Sequence, residues 1–144
     1  MALVTNIVAA DDDEFAAVGE SMRPMDEWSG IEGAGLDTAK ITMLHCLATG
    51  DEYNMALSLH EPVYVADAGT VVIRIADSVV EKLAACDDGT LALFADELAA
   101  TEDFEAESWA TEDVHALLSE LVGLARLADS QGQALFVWMH ADVA

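Results

Sequence analysis

The sequence has 144 residues, of which 28 are acidic and only 5 are basic, so its formal net charge is -23. The five cations are spread along the chain and build no basic patch, which excludes binding to nucleic-acid phosphates or to an anionic membrane. No run of about 18 apolar residues could span a membrane. The short apolar start carries no lysine or arginine and is a poor signal peptide. We therefore expect a soluble cytoplasmic protein.

The length predicts a single domain over residues 1–144. An apolar fraction of 53% is above the average of globular chains and argues against disorder. Cys46 and Cys86 both fall in apolar helical patterns, which favours free thiols in a reducing compartment over a disulfide.

The chain opens with a predicted strand from Leu3 to Ala9. Asp11 and Glu14 then have the spacing of a capping box, which predicts a short acidic helix with Phe15, Val18 and Met22 on its buried edge. The following glycine-containing stretch, residues 23–35, is typical of a loop, and we expect its tryptophan to fold back on the core.

The stretch from Leu36 to Asp51 predicts the helix around which the other elements are organised. Asp37 can cap its first amides, and Gly50 can adopt the left-handed turn that ends it. Nearly every side chain between them is apolar, so the helix belongs in the interior. After it, alternating apolar residues from Tyr53 to Val65 indicate short extended pieces around Glu61-Pro62.

The second half of the chain contains clearer patterns. The pattern of residues 70–76 predicts a strand. Ser78 and Glu81 have the spacing of a capping box and predict the start of the next helix. Apolar residues at helical spacing from Leu91 to Leu98 predict a further helix. Thr111 is expected to cap the longest helix, over residues 112–130. Residues 133–140 predict a strand that is apolar on both faces and therefore lies in the interior of the sheet. Strands and helices do not alternate regularly, so we predict an α+β fold: a small mixed sheet packed against several helices.

Three stretches resemble the YfbM-like family of small bacterial proteins, a domain of unknown function. The family's central signature is similar to one stretch of this chain, Leu36-Asp37-x-x-Lys40-x-x-x-Leu44-His45-x-Leu47-x-Thr49-Gly50. Two further stretches follow the family pattern more generically. One is the step from strand to helix between Val71 and Leu83, and the other is the end of the long helix and the apolar strand after it, between Leu124 and Trp138. Two positions depart from the family pattern. Thr42 stands where the family usually has a tryptophan, and Glu105-Ala106 stands where it usually has Tyr-Pro before the tryptophan that precedes the long helix. The resemblance covers most of the chain and implies a helix-rich α+β architecture, but no activity.

His45 is the first residue to consider for chemistry, because it is a lone histidine in an apolar helix. A neutral imidazole there can donate to a backbone carbonyl and be purely structural, which we favour over a ligand-binding or catalytic role. Its neighbour Cys46 lies about 100° further around the helix and cannot form a nucleophile–base pair with it. The chain contains no phosphate loop or nucleophile elbow, and its other histidines lack metal-ligand spacing. We expect no metal, no cofactor and no recognisable enzyme activity.

An acidic segment surrounds Trp109, with carboxylates at Glu102, Asp103, Glu105 and Glu107. An aromatic side chain framed by carboxylates can anchor a basic protein partner, because aromatics concentrate at interface hot spots and charge accelerates encounter. The alternative, which we favour, is an aromatic packed under a loop with a solvated acidic rim.

Three hypotheses for function follow. The protein is a non-enzymatic module whose acidic surface binds a basic protein, with an immunity or inhibitor role as one concrete form. Alternatively, it is a small-ligand protein or enzyme with an open cavity that reaches His45. In the third, the charge serves only solubility or adaptation to high internal salt. The sequence does not indicate an oligomeric state.

Overall fold

The computed structural model describes residues 2–21, 23–33, 38–59, 62–67, 69–105 and 109–142, and it describes the side chains in these ranges except at positions 2, 3, 38, 39, 59, 102, 103, 141 and 142. The strands are β1 (Ala2–Ala10), β2 (Ser29–Glu32), β3 (Tyr64–Val65), β4 (Val71–Arg74) and β5 (Ala134–Asp142). The helices are α1 (Phe15–Glu20), α2 (Pro24–Glu27), α3 (Thr38–Thr49), α4 (Tyr53–Leu59), α5 (Asp77–Ala84), α6 (Asp88–Ala99), α7 (Glu102–Glu105) and α8 (Thr111–Gln131).

The five strands form one sheet in the order β2-β1-β5-β4-β3. The two ends of the chain meet in its centre, where β1 and β5 pair from Ala2↔Asp142 to Ala10↔Ala134. The α+β prediction and the interior position of β5 are confirmed. The sheet is not mixed, however, because each of its described strand pairs is antiparallel. Apolar patterning shows which segments are strands and not which way they run.

One face of the sheet carries the larger core. Leu135 and Val137 of β5 and Ile7 of β1 belong to this cluster, together with the apolar residues of α3, α5, α6 and α8. The predicted longest helix is confirmed as α8, and its apolar residues at helical spacing are all buried: Val114, Leu117, Leu118, Leu121, Leu124, Ala125 and Ala128. This face therefore holds the helical layer, and α3 packs within it.

The opposite face carries a smaller cluster that includes Val8, Phe136 and Trp138. The short helices α1 and α2 contact the sheet, and Val18 of α1 belongs to this cluster. Trp138 Nε1 donates a hydrogen bond to the carbonyl of Ser21 at 3.0 Å, and Trp28 packs against the same cluster. Trp28 thus folds back on the core as expected.

The region predicted as a loop, residues 23–35, instead contains α2 and the edge strand β2. A Cβ at Gly30 would lie 2.7 Å from the carbonyl oxygen of Ile7 and 2.7 Å from Cγ1 of Val8. Glycine is therefore required here by the close approach of two strands and not by a turn, so its presence misled the prediction. Gly35 lies outside the described residues.

Tyr53–Leu59 forms the helix α4, so the apolar alternation begins within a helix. Ala56 is buried while Tyr53, Met55 and Leu57 are exposed, which means that the apolar alternation does not report burial. The short strand β3 does follow, at Tyr64–Val65. The helix α4 is in contact with α3.

The predicted helix ends divide into correct and incorrect cases. Gly50 (φ +81°) and Gly132 (φ +66°) both adopt the left-handed conformation after α3 and α8, and the capping box of Asp11 and Glu14 is present. Ser78 is not a cap, since Ala76 precedes α5. Thr111 likewise lies within α8 rather than at its cap.

On the buried edge of α1, Val18 is fully buried but Phe15 is 38% exposed, contrary to expectation. The predicted cap Asp37 and the predicted core residue Met22 lie outside the described residues. Of the helices in the described ranges, none combines the length and the apolar character that crossing a membrane requires.

Candidate functional site

His45 lies near the C-terminal end of α3 and is fully buried. Its Nε2 is 2.7 Å from Oδ2 of Asp51, just beyond the helix. The acceptor of this bond is a carboxylate, whereas we expected a backbone carbonyl. Because an ionised carboxylate can only accept, Nε2 must carry the hydrogen.

The turn after α3 is built to hold this pair. Thr49 Oγ1 donates to the carbonyl of His45 at 3.0 Å and accepts from the backbone N–H of Asp51 at 3.3 Å. The hydrogen bond from His45, and then that from Thr49, lower the pKa of the Asp51 carboxyl below its ordinary value of 3.8. The geometry fixes the end of the helix and presents no imidazole surface to solvent.

The neighbouring Cys46 is partly buried and does not have the properties of a nucleophile. Burial raises the pKa of its thiol, and the negative charge of Asp51 raises it further. Reactive cysteines need the opposite environment, one that favours the thiolate. Both cysteines are free thiols.

The acidic segment around Trp109 is only partly described. The backbone of Glu102 and Asp103 lies in α7, but their side chains and the whole of Glu107 lie outside the described residues. Glu105 is exposed. Trp109 is half-buried, with its ring edge-to-face against that of the buried Phe104 at a centroid separation of 5.2 Å. Trp109 therefore packs on the core beside this segment.

Most of the basic groups are held inside the protein's own interactions. Lys40 is 2% exposed. Arg74 binds two aspartates, with Nε 2.7 Å from Asp12 and Nη2 2.9 Å from Asp77. Arg126 donates to the carbonyl of Ala84, the last residue of α5, and to that of Cys86 just beyond it. By contrast, all the described acidic side chains are exposed except two, Glu14 and Asp51, which are half-buried.

The carboxylates occupy the surface on nearly every element. They occur on both flanks of the sheet and on α1, α2, α5, α6 and α8. Among the described residues, no group of three or more His, Cys, Asp or Glu side chains has an arrangement that could hold a metal ion. The surface is therefore strongly negative with little internal compensation.

A cavity of about 320 Å³ surrounds the Arg74 ion pairs. Its wall combines the two aspartates bound to Arg74 with Glu81 of α5 and Asp129 of α8. Arg74 is 28% exposed at its side chain, and both of its aspartate partners are largely exposed. These ion pairs lie at the surface, where such interactions contribute little stability.

A second cavity, of about 570 Å³, follows the outer edge of β2. Met25 of α2 and Glu120 of α8 line it together with Gly30, Ile31 and Glu32 of the strand. It combines apolar and acidic side chains along an open strand. His45 lines neither of these two cavities.

Comparison with known proteins finds a match among the solved structures. No protein-family model matches the chain, and no curated protein matches it. The structural neighbour is YfbM from Escherichia coli. That crystal structure is described as a protein of unknown function; it has a TM-score of 0.47 and 13% sequence identity, and the match covers 95% of this chain and 99% of YfbM. It carries the name of the family that the central sequence signature resembles, and it brings no activity.

Sequence reasoning found His45 but missed its partner and both cavities. Asp51 lies six residues away, beyond the helix, so no helical spacing connects the two. The Arg74 cavity draws on residues from opposite ends of the chain. The second cavity, along β2, was missed because β2 itself was predicted as a loop. The one available signal was Ile31, a β-branched residue beside glycine.

Proposed function

We propose that this protein is a non-enzymatic binding module whose acidic surface engages a basic protein. The observation that carries the proposal is the imbalance between exposed carboxylates and internally held cations. A surface of one sign accelerates association with an oppositely charged partner and disfavours partners of the same sign. Inhibition or neutralisation of a basic protein, as an immunity protein would do, is one concrete form.

The individual basic residues support this proposal. Lys40 is buried, Arg74 is bound by two carboxylates, and Arg126 caps backbone carbonyls. Arg23, Lys82 and Arg126 are the exposed cations among the described residues, and of these Arg126 is hydrogen-bonded to the backbone. The negative potential at the surface is therefore hardly reduced by the protein's own positive charge.

Capture of a partner from a lysate of the source organism tests the proposal. The tagged protein should retain a basic protein at an ionic strength of about 0.1 M and release it at about 1 M, where the screening length falls from about 10 Å to about 3 Å. A partner retained equally at both would indicate an apolar interface, and no reproducible partner would refute the proposal.

One observation favours the alternative that the charge serves solubility or high internal salt. The exposed carboxylates are distributed over nearly all elements and are not confined to one face. In that case added salt should raise the thermal midpoint steeply by screening self-repulsion, and no specific partner should be found.

A ligand-binding role for His45 stays a prediction. Its imidazole is fully buried and bound to Asp51, so a ligand could reach it only after the end of α3 opens. The geometry gives this role less support than it gives the acidic surface.

A further inference from the structure

The outer edge of β2 has hydrogen-bonding groups that no described strand uses. Gly33 N–H bonds the carbonyl of Thr5 at 2.9 Å, and Ile31 pairs with Ile7. Because bonded and non-bonded pairs alternate in an antiparallel ladder, the positions that bond β1 are 29, 31 and 33. The backbone N–H and C=O of Gly30 and Glu32 therefore point outward, away from β1.

Gly30 and Glu32, which carry these outward groups, line the cavity of about 570 Å³, called the groove below. Ile31 packs against the larger core on the helical face of the sheet, so Gly30 and Glu32 face the side of α2. On that side, Met25 Cγ lies 3.4 Å from where a Cβ of Gly30 would be. On the helical side, the groove is bounded by Glu120 of α8. The groove is thus a slot along the strand, between α2 and α8.

We propose that this slot binds an extended segment of the basic partner as an added β-strand beside β2. Main-chain hydrogen bonds to Gly30 and Glu32 would supply register, and alternate side chains would meet Ile31 and Glu120 on one face and Met25 and Glu32 on the other. The segment should therefore combine lysine or arginine with apolar residues. This inference rests on the proposed function and specifies where the partner docks.

The charge on the slot decides between possible occupants. Glu32 and Glu120 line it, and the exposed Asp26 and Glu27 lie on the adjacent α2. A second copy of the chain would bring another charge of -23 to the same edge. Like-charge contact at an interface is unfavourable, whereas a basic strand neutralises the groove.

Two substitutions at one position separate strand addition from simple charge attraction. Glu32→Gln removes the carboxylate but keeps the outward N–H, whereas Glu32→Pro removes both. Proline is tolerated on an edge strand where its missing N–H faces outward, so the β1 ladder should survive. Asp96→Asn on α6, outside the groove, makes the same charge change and serves as the matched control.

The probe is a short synthetic peptide of alternating lysine and valine, titrated by calorimetry at low salt. Glu32→Pro should bind it roughly threefold to tenfold more weakly than Glu32→Gln, as expected for one backbone hydrogen bond. Asp96→Asn should bind like the unmodified protein. A peptide N-methylated along one edge should show a comparable loss on the unmodified protein, which tests the proposal even if Glu32→Pro does not fold.

The outcomes separate the two proposals. If the peptide binds but neither Glu32→Pro nor N-methylation weakens it beyond Glu32→Gln, docking at the edge of β2 is refuted while the acidic binding module stands. If no cationic probe binds at low salt, both proposals fail. If the free protein sediments as a dimer that Glu32→Pro dissociates, a second copy is the occupant and the proposed partner strand is refuted.

Discussion

Phe136 on the central strand β5 offers the most direct test of how the sheet is packed. It is fully buried in the smaller cluster, and β5 is held by β1 on one side and β4 on the other. Replacing it by alanine removes most of a side chain that buries about 150–250 Å². At about 25 cal/mol per Å², the full ring corresponds to roughly 4–6 kcal/mol, an upper bound because the unfolded chain is itself partly compact.

Large-to-small changes of this kind cost about 3–5 kcal/mol when the site cannot collapse. We expect Phe136→Ala to fall in that range, because strands bonded on both sides restrict relaxation of β5. Phe136→Leu keeps most of the volume and should cost roughly 1 kcal/mol. Since total stabilities are about 5–15 kcal/mol, the alanine variant would lose much of its stability and would unfold only if the protein lies near the lower end of that range.

Urea unfolding followed by circular dichroism measures both variants, with the slope of the transition as a check on two-state behaviour. A cost below about 1 kcal/mol for Phe136→Ala would refute the buried position of this ring, since surface substitutions are usually that small. A cost for Phe136→Leu equal to that for Phe136→Ala would indicate specific ring contacts instead of filled volume.

Two further predictions concern the turn after α3 and the glycines. Because the pKa of Asp51 is lower in the folded protein than its unfolded value of 3.8, the ionised carboxylate stabilises the fold at pH values above 3.8, and this contribution is lost as pH falls through the folded pKa. The stability difference between Asp51→Asn and the unmodified protein should therefore be constant near neutrality and shrink in acid. A difference unchanged down to about pH 2 would contradict the pairing with His45. Gly30→Ala should destabilise by about 1–3 kcal/mol because its Cβ meets β1. Gly123→Ala, in open space within α8, should stabilise by about 0.5–1 kcal/mol, and equal effects of the two changes in chemical denaturation would rule out the close approach of β2 to β1.

The elements predicted correctly are those whose patterns are set by burial. The strand β5 is apolar on both faces because both clusters pack on it, and α8 shows its buried stripe at helical spacing. The left-handed residues Gly50 and Gly132 end helices for a local steric reason. Such signals belong to a short window of sequence, so they can be predicted without the fold.

The missed elements depend on contacts between distant segments. β2 exists because Ser29–Glu32 pairs with β1, and only that close contact explains Gly30. The groove along β2 and the Arg74 cavity each combine residues from three or more elements, so no single motif could predict them.

The salt dependence of partner capture tests the proposed function most directly. With the unmodified protein on the resin and a source lysate applied at about 0.1 M ionic strength, one basic protein should be retained and then released at about 1 M. The thermal midpoint is measured at the same two salt concentrations. A midpoint that rises steeply with salt, together with no specifically retained protein, would contradict the acidic binding module and assign the charge to salt adaptation.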